Sequence, residues 1–164
     1  MGWRGLSDFL LENWGNLASV VGVMVSVATL AVATKARQAA EAAKAVARRQ
    51  SLTEVLQDTI RKNEQVGLFL SQRRWDIVWL RAQEIAGATS IVLTRWPQEL
   101  NATSKDNLLR TQRLSNSIAG VALIASGEAP APPVVARMSQ TQGRVAQLLN
   151  TELGESLRGS EGSI

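Results

Sequence analysis

The chain of 164 residues contains no cysteine and no histidine. The absence of cysteine excludes disulfides, thiolate metal sites and cysteine nucleophiles, and it leaves the redox compartment undecided. The absence of histidine removes the commonest general base and the commonest transition-metal ligand. Carboxylates with a hard cation, or a serine and lysine arrangement, remain as routes to chemistry, and the sequence has a recognisable motif for neither. We therefore expect no enzyme activity, no catalytic residues, no metal site and no cofactor.

Net positive charge is confined to one segment of the chain. The net charge is +4. Residues 35–49 carry five basic residues against the single acid Glu41, which accounts for the whole net charge. The rest of the chain is balanced, so we do not expect nucleic acid as a partner. The basic residues of this segment are Lys35, Arg37, Lys44, Arg48 and Arg49.

Residues 15–34 contain no charged side chain and read GNLASVVGVMVSVATLAVAT. About twenty helical residues cross the hydrocarbon core of a bilayer, so this run predicts a transmembrane helix. The alternative is a buried core helix. A helix that is apolar on every side needs a large protein around it, and this chain is small.

The flanks of this run predict its orientation. Trp3 and Trp14 lie on its N-terminal side, in residues 1–14, which we interpret as a segment at the membrane interface. The basic segment follows on the other side. By the positive-inside rule the N-terminus lies outside and the chain after Lys35 is cytoplasmic. We expect a single-pass protein of an inner (plasma) membrane of bacterial type, in contact with lipid.

Two further readings of the run remain open. Ala31-Val32-Ala33 resembles a signal-peptide cleavage site, so the protein could instead be exported after cleavage. The region before the run lacks positive charge, which favours retention in the membrane. Ala18, Gly22 and Ser26 recur every four residues, and small residues at this spacing allow two transmembrane helices to associate. The alternative is a run that is merely rich in small residues.

The remaining chain predicts an all-α protein. Residues 35–50 are rich in alanine and form a basic helical stem, with a thin apolar stripe suited to weak coiled-coil contacts. Its basic face rests on anionic lipid in one interpretation and is simply solvated in the other. Residues 51–157 predict a small antiparallel helical bundle, and residues 158–164 a disordered tail.

Local signals divide the bundle into helices. Ser51 and Glu54 form a capping box that marks a helix start or a kink, and Gly67 and Ser71 indicate a weak point. A helix is predicted over 72–96, and a loop over 98–104 ends at Ser104, which caps the following helix. A linker is predicted over 127–133 and a last helix over 134–157. The predicted inward positions include Trp75, Trp79, Ile85, Leu108, Leu109, Ile118, Ile124, Met138, Val145 and Leu149.

One cluster of arginine and tryptophan predicts a surface for an anionic ligand or a partner. Trp75 and Trp79 lie one helical turn apart, with Arg73, Arg74 and Arg81 around them. Arginine next to tryptophan is suited to phosphate or a stacked base. In the alternative, which is the commoner situation at this spacing, both tryptophans are core residues. The arginines are then solvated or paired with Asp76 and Glu84.

The layout of 14–49, with the Arg74-Trp75 region, resembles small uncharacterised bacterial single-pass membrane proteins that have an Ala/Arg-rich stem and a short helical cytoplasmic domain. Some proteins with a comparable layout are effectors of antiviral defence. The resemblance is architectural and contains no specific motif, so it carries over no functional residues.

These observations favour a non-enzymatic, membrane-anchored helical protein. Its cytoplasmic bundle would bind an unidentified protein partner or a second copy of the chain, giving a homo-oligomer. The first alternative is a membrane-disrupting effector that oligomerises through its transmembrane helix, and the second is the exported helical protein.

Overall fold

A computed structural model describes residues 3–127 and 130–161, with side chains described for 19–127 and 130–158. The helices are α1 (Trp3–Ser71), α2 (Trp75–Arg95), α3 (Ala102–Ala125) and α4 (Pro132–Glu161). No strand occurs in the described ranges. The predicted all-α class is therefore confirmed. The chain divides into two compact units, Met1–Ala45 and Val46–Ile164, which are considered separately.

The first unit consists of the N-terminal part of α1, where every described side chain is exposed. The hydroxyl groups of Ser26, Thr29 and Thr34 bond to the helix itself. Ser26 Oγ donates to the carbonyl of Gly22 at 2.8 Å and Thr29 Oγ1 to that of Val25 at 2.7 Å. This back-bonding leaves no hydroxyl hydrogen of these two residues without an acceptor, as an apolar environment requires.

The second unit is a helical bundle whose buried positions advance by alternating steps of four and three residues. In α1, for example, the buried positions are Leu52, Leu56, Thr59, Asn63, Val66 and Leu70. This average step of 3.5 residues keeps one narrow seam of each helix turned towards its neighbours. The same steps occur in the other helices. In α2 and its C-cap the buried positions are Val78, Ala82, Ile85, Thr89, Val92 and Trp96. In α3 they are Ser104, Leu108, Thr111, Ser115, Ile118, Ala122 and Ala125, and in α4 they include Val145, Leu149 and Glu152.

Helix α3 packs against both α2 and α4. The C-terminal part of α1 also contacts α4 through polar groups. Asn63 Nδ2 donates to the carbonyl of Gln142 at 3.3 Å, and Gln142 Nε2 donates to the carbonyl of Asn63 at 3.1 Å. The hydroxyl groups of Thr53 and Ser156 lie 3.0 Å apart.

Of the two alternatives predicted at Ser51, a helix start and a kink, the structure excludes the helix start. Helix α1 passes through Ser51 and Glu54 without ending, and its buried positions begin there, at Leu52 and Leu56. It ends at Ser71, where the predicted weak point lies. Arg73 then adopts a left-handed backbone conformation, with φ of 56°, in the turn to α2.

The cap of α3 is Asn101 and not the predicted Ser104. Asn101 Oδ1 accepts a hydrogen bond from the backbone N–H of Ser104 at 2.7 Å. Ser104 therefore lies within the first turn, and its own hydroxyl donates to Glu155 in α4 at 3.1 Å. Asparagine is as good an N-cap as serine, so the sequence contained two candidates three residues apart.

Three residues predicted to face the core are exposed. Trp79 is 38% exposed, Leu109 is 40% exposed and Ile124 is 76% exposed. Each lies one or two residues from a buried position of its helix, outside the narrow seam. The broad apolar face that a period of 3.6 residues predicts is wide enough to include these three residues. The narrow seam that advances by steps of four and three residues does not include them.

The boundaries of α4 are wider than predicted. The helix begins at Pro132, two residues before the predicted start, and a proline in the first turn is compatible with a helix because the N–H it lacks would have no partner there. It continues to Glu161, within the predicted tail of 158–164. Residues 162–164 lie outside the described residues.

Candidate membrane-spanning segment and arginine surfaces

Within the described residues, one helix has the length and apolar composition to cross a membrane, and its most apolar part lies near the N-terminus. None of this part is buried in the protein. The predicted alternative of a buried core helix is therefore wrong. The large apolar side chains of the segment are between 54% and 68% exposed, namely Val20, Val21, Val23, Met24, Val25, Val27, Leu30 and Val32.

So much exposed apolar surface is unusual for a soluble protein. Contiguous apolar patches of more than a few hundred Å² are rare on monomeric soluble proteins, and they mark surfaces that something covers. Here the exposed side chains surround a whole helix, as expected of a segment that lies in lipid.

The predicted interface residues fall into two groups. The side chains of Trp3 and Trp14 lie outside the described residues. The basic side chains after the apolar segment are described, and Lys35, Arg37, Lys44 and Arg48 are exposed, whereas Arg49 is half-buried. Their exposure is compatible with contact with headgroups, and the orientation of the chain stays a prediction.

The predicted self-association face is described in part. Gly22 has open space where a side chain would lie, and Ser26 is exposed with its hydroxyl bonded to Gly22 within the helix. The side chain of Ala18 lies outside the described residues. The association itself stays a prediction.

The predicted cluster of tryptophan and arginine near the start of α2 is largely occupied by internal contacts. Trp75 is half-buried and packs against the core. Arg74 Nη2 lies 3.4 Å from a carboxylate oxygen of Asp76, and Arg81 Nη1 lies 2.7 Å from Glu84.

These ion pairs are the ones that the alternative interpretation of the cluster predicted. Two of its arginines, Arg74 and Arg81, therefore already contact carboxylates, and Arg73 is exposed in the turn. The tryptophans fit that alternative only in part, because Trp79 is exposed. A ligand at this cluster stays a prediction.

An ionic network joins α1 to α2 beside this cluster. Lys62 Nζ lies 2.9 Å from Asp58 and 4.0 Å from Glu84 of α2. The hydrogen bond from Lys62 lowers the pKa of the Asp58 carboxyl below its ordinary value, against a smaller opposing effect of desolvation. A lowered pKa stabilises the folded protein at neutral pH, and this contribution is lost as the pH falls through the lowered value.

Sequence reasoning missed several polar residues that are buried in the bundle. Asn63, Thr111, Ser115 and Glu152 are each between 1% and 3% exposed. Glu152 accepts a hydrogen bond from Asn107 Nδ2 at 2.7 Å, which links α4 to α3. Alternating steps of four and three residues from Leu52, Leu108 and Val145 include these positions, because they occupy the seam irrespective of polarity.

Sequence reasoning also missed a second arginine surface, an open cleft of about 420 Å³ between α3 and α4. Six residues line the cleft, namely Arg110, Arg113, Leu114, Arg144, Gln147 and Leu148. Each helix contributes an arginine, a polar or charged residue three positions later and a leucine four positions later. These are Arg110, Arg113 and Leu114 in α3, and Arg144, Gln147 and Leu148 in α4. None of the lining residues is acidic.

Among the described residues, no group of histidine, cysteine, aspartate or glutamate side chains has an arrangement that holds a metal ion. Comparison with known proteins gives no match to a family model, to a curated protein or to a solved structure.

Proposed function

We propose that this chain is a non-enzymatic, single-pass membrane protein that anchors a helical bundle to the cytoplasmic face of the membrane. The bundle binds a protein partner or a second copy of the chain. The observation that carries this proposal is the exposed, uncharged part of α1. Helical residues that expose valine, leucine and methionine on every side are stable in lipid, where each backbone group bonds within the helix.

The orientation rests on charge. The five basic residues between Lys35 and Arg49 follow the apolar segment directly, while only Arg4 and two acids lie before it. An excess of lysine and arginine next to a span is retained on the cytoplasmic side. The same excess argues against the exported alternative, because signal peptides carry their positive charge before the apolar run.

The bundle is proposed to be antiparallel. Contacts between α1 and α4 pair Thr53 with Ser156 and Asn63 with Gln142, so the residue numbers rise in one helix and fall in the other. The α3 and α4 pairs follow the same order. Ser104 contacts Glu155, and three residues further along α3, Asn107 contacts Glu152.

Self-association is proposed to use the small residues of the span. Gly22 and Ser26 leave one side of the helix without bulk, and close backbone approach is the main source of attraction between helices in lipid. A partner of the bundle would bind on its exterior, where Leu80 and Ile91 of α2 are 46% and 53% exposed.

The proposal is tested by comparing the full chain with a fragment of residues 46–164, the second compact unit. We expect the full chain to sediment with membranes and to resist extraction at alkaline pH, and the fragment to be soluble, helical by circular dichroism and cooperatively unfolding. A full chain found in the soluble fraction would contradict the anchor. A fragment that is disordered by itself would contradict an autonomous bundle. The intact mass of the mature protein separates this proposal from cleavage after Ala33.

A further inference from the structure

We propose that the cleft between α3 and α4 is a binding site for a small soluble molecule that carries a diphosphate or triphosphate next to an apolar or planar group. The class of a nucleoside diphosphate or triphosphate fits this description. The cleft belongs to the bundle alone and does not depend on the membrane anchor.

The positive charge of the cleft is available to a ligand. Among the described residues, neither Arg113 nor Arg144 forms an ion pair, and both are exposed. Arg110 does form one, with Asp106 at 2.9 Å, but both side chains are more than half exposed. Exposed pairs of this kind contribute only about 0–1 kcal/mol, so a phosphate competes with Asp106 easily.

The donors have the chemistry that phosphate requires. A guanidinium group presents a planar fork of N–H groups that matches two oxygens of one phosphate, and it stays charged at every physiological pH. Arg110 and Arg113 lie one turn apart on α3, and Arg144 faces them from α4. Three cations around one opening exceed the charge of a single phosphate and suit a ligand with two or three phosphates.

The remaining lining residues define the rest of the ligand. Leu114 and Leu148 supply an apolar surface from both helices, and the side-chain amide of Gln147 supplies a neutral donor and acceptor. Sites for small molecules combine apolar walls with a few polar groups in a volume of about 300–1,000 Å³, a range that includes this cleft. Inorganic phosphate alone would leave the leucine surface uncovered.

The backbone around the cleft is held in place. Leu108 and Leu149, on the buried seams of the two helices, are fully buried, and Asn107 bonds to Glu152 at 2.7 Å one turn away from Arg110. The cleft is therefore formed before a ligand arrives, and its arginines are the parts that adjust.

The test measures equilibrium binding of ATP and of inorganic pyrophosphate to the full chain in an uncharged detergent. We expect saturable binding of ATP, weaker binding of pyrophosphate, and competition between the two. The double variant Arg113→Gln/Arg144→Gln is expected to bind at least about a hundredfold more weakly, because it loses two charged hydrogen bonds and each weakens binding by about tenfold or more.

Matched variants separate the cleft from general charge. Arg61→Gln/Arg137→Gln removes the same charge from exposed positions outside the cleft and is expected to bind ATP like the wild type. Gln147→Glu places an acid in the cleft while keeping a good helix former, and it is expected to abolish binding without a change in helicity. Thermal unfolding of each variant checks that the bundle is folded.

Several results would overturn the proposal. One is no binding of ATP or pyrophosphate at about 1 mM, near the weak limit for a specific site. Equal losses in the two double variants would also do so, because binding would then follow net charge. A third is full displacement of ATP when the protein is moved into nanodiscs with a few per cent of anionic phospholipid. The site would then belong to a lipid headgroup. Binding of an acidic peptide that Arg113→Gln/Arg144→Gln abolishes, together with no binding of ATP, would assign the cleft to a protein.

Discussion

Replacing Val25 by arginine tests the anchor at its centre. Val25 lies near the middle of residues 15–34 and is 59% exposed, so arginine fits the helix without displacing a protein contact. On a scale of membrane insertion, arginine at the centre of a span costs about 2.5–3.5 kcal/mol and valine contributes about −0.3 kcal/mol. The substitution therefore costs about 3 kcal/mol, which lowers the inserted-to-free ratio by more than about a hundredfold.

The effect is expected to be visible because the run is only moderately apolar. Glycine, alanine, serine and threonine occupy many of its positions, so insertion has little reserve. The assay is the fraction of protein that remains with membranes after extraction at alkaline pH. Val46→Arg is the matched control, because Val46 is also on α1, is 66% exposed and lies outside the apolar run.

We expect Val25→Arg to lose most of its membrane-bound fraction and Val46→Arg to keep it. If both variants stay bound to the same extent as the wild type, the apolar segment is not what holds the protein in the membrane. If both are lost equally, added positive charge, and not the hydrocarbon core, is responsible.

Three further experiments, two of them with a matched control position, test the span and the bundle by substitution. Gly22→Ile is expected to lower self-association measured by cross-linking in membranes, because a branched side chain prevents close approach of the helices, and unchanged cross-linking would remove this face. Gly87→Ala is expected to raise the free energy of unfolding of the bundle by about 0.5–1 kcal/mol, measured by chemical unfolding, because its added methyl meets open space. Gly67→Ala is expected to raise it less, because the added methyl there meets the side chain of Gln142 at 3.4 Å. Leu149→Ala is expected to cost about 2–5 kcal/mol because the residue is fully buried, and Leu157→Ala, at a site 47% exposed, about 0.5 kcal/mol or less. Equal costs for the two leucines would refute the proposed seam.

The sequence predicted the helical class and the positions of the loops well, for clear physical reasons. Pro97 ends α2 because proline cannot continue the hydrogen-bond pattern, and the proline-rich linker separates α3 from α4. The run of residues 15–34 was visible because twenty consecutive residues without a charged side chain differ from the mixed polar and apolar pattern of the bundle helices. These signals are local and do not depend on how the helices pack.

The sequence predicted the core less well, because burial in this bundle follows position more than polarity. Asn63 and Ser115 are buried on the seam, while Ile124 is 76% exposed two residues beyond Ala122. An apolar pattern therefore included the wrong residues and omitted polar ones. The arginine cleft was missed for another reason, since Arg113 and Arg144 meet only after α3 and α4 pack.

The most direct test of the central claim locates the bundle relative to the membrane. The chain has no native cysteine, so Glu99→Cys, in the exposed turn between α2 and α3, places a single thiol on the bundle. Membrane-bound protein is treated with a membrane-impermeant maleimide in intact cells and after lysis. The account predicts labelling only after lysis. Labelling in intact cells would contradict the cytoplasmic bundle, and recovery of the protein in the soluble fraction would contradict the anchor.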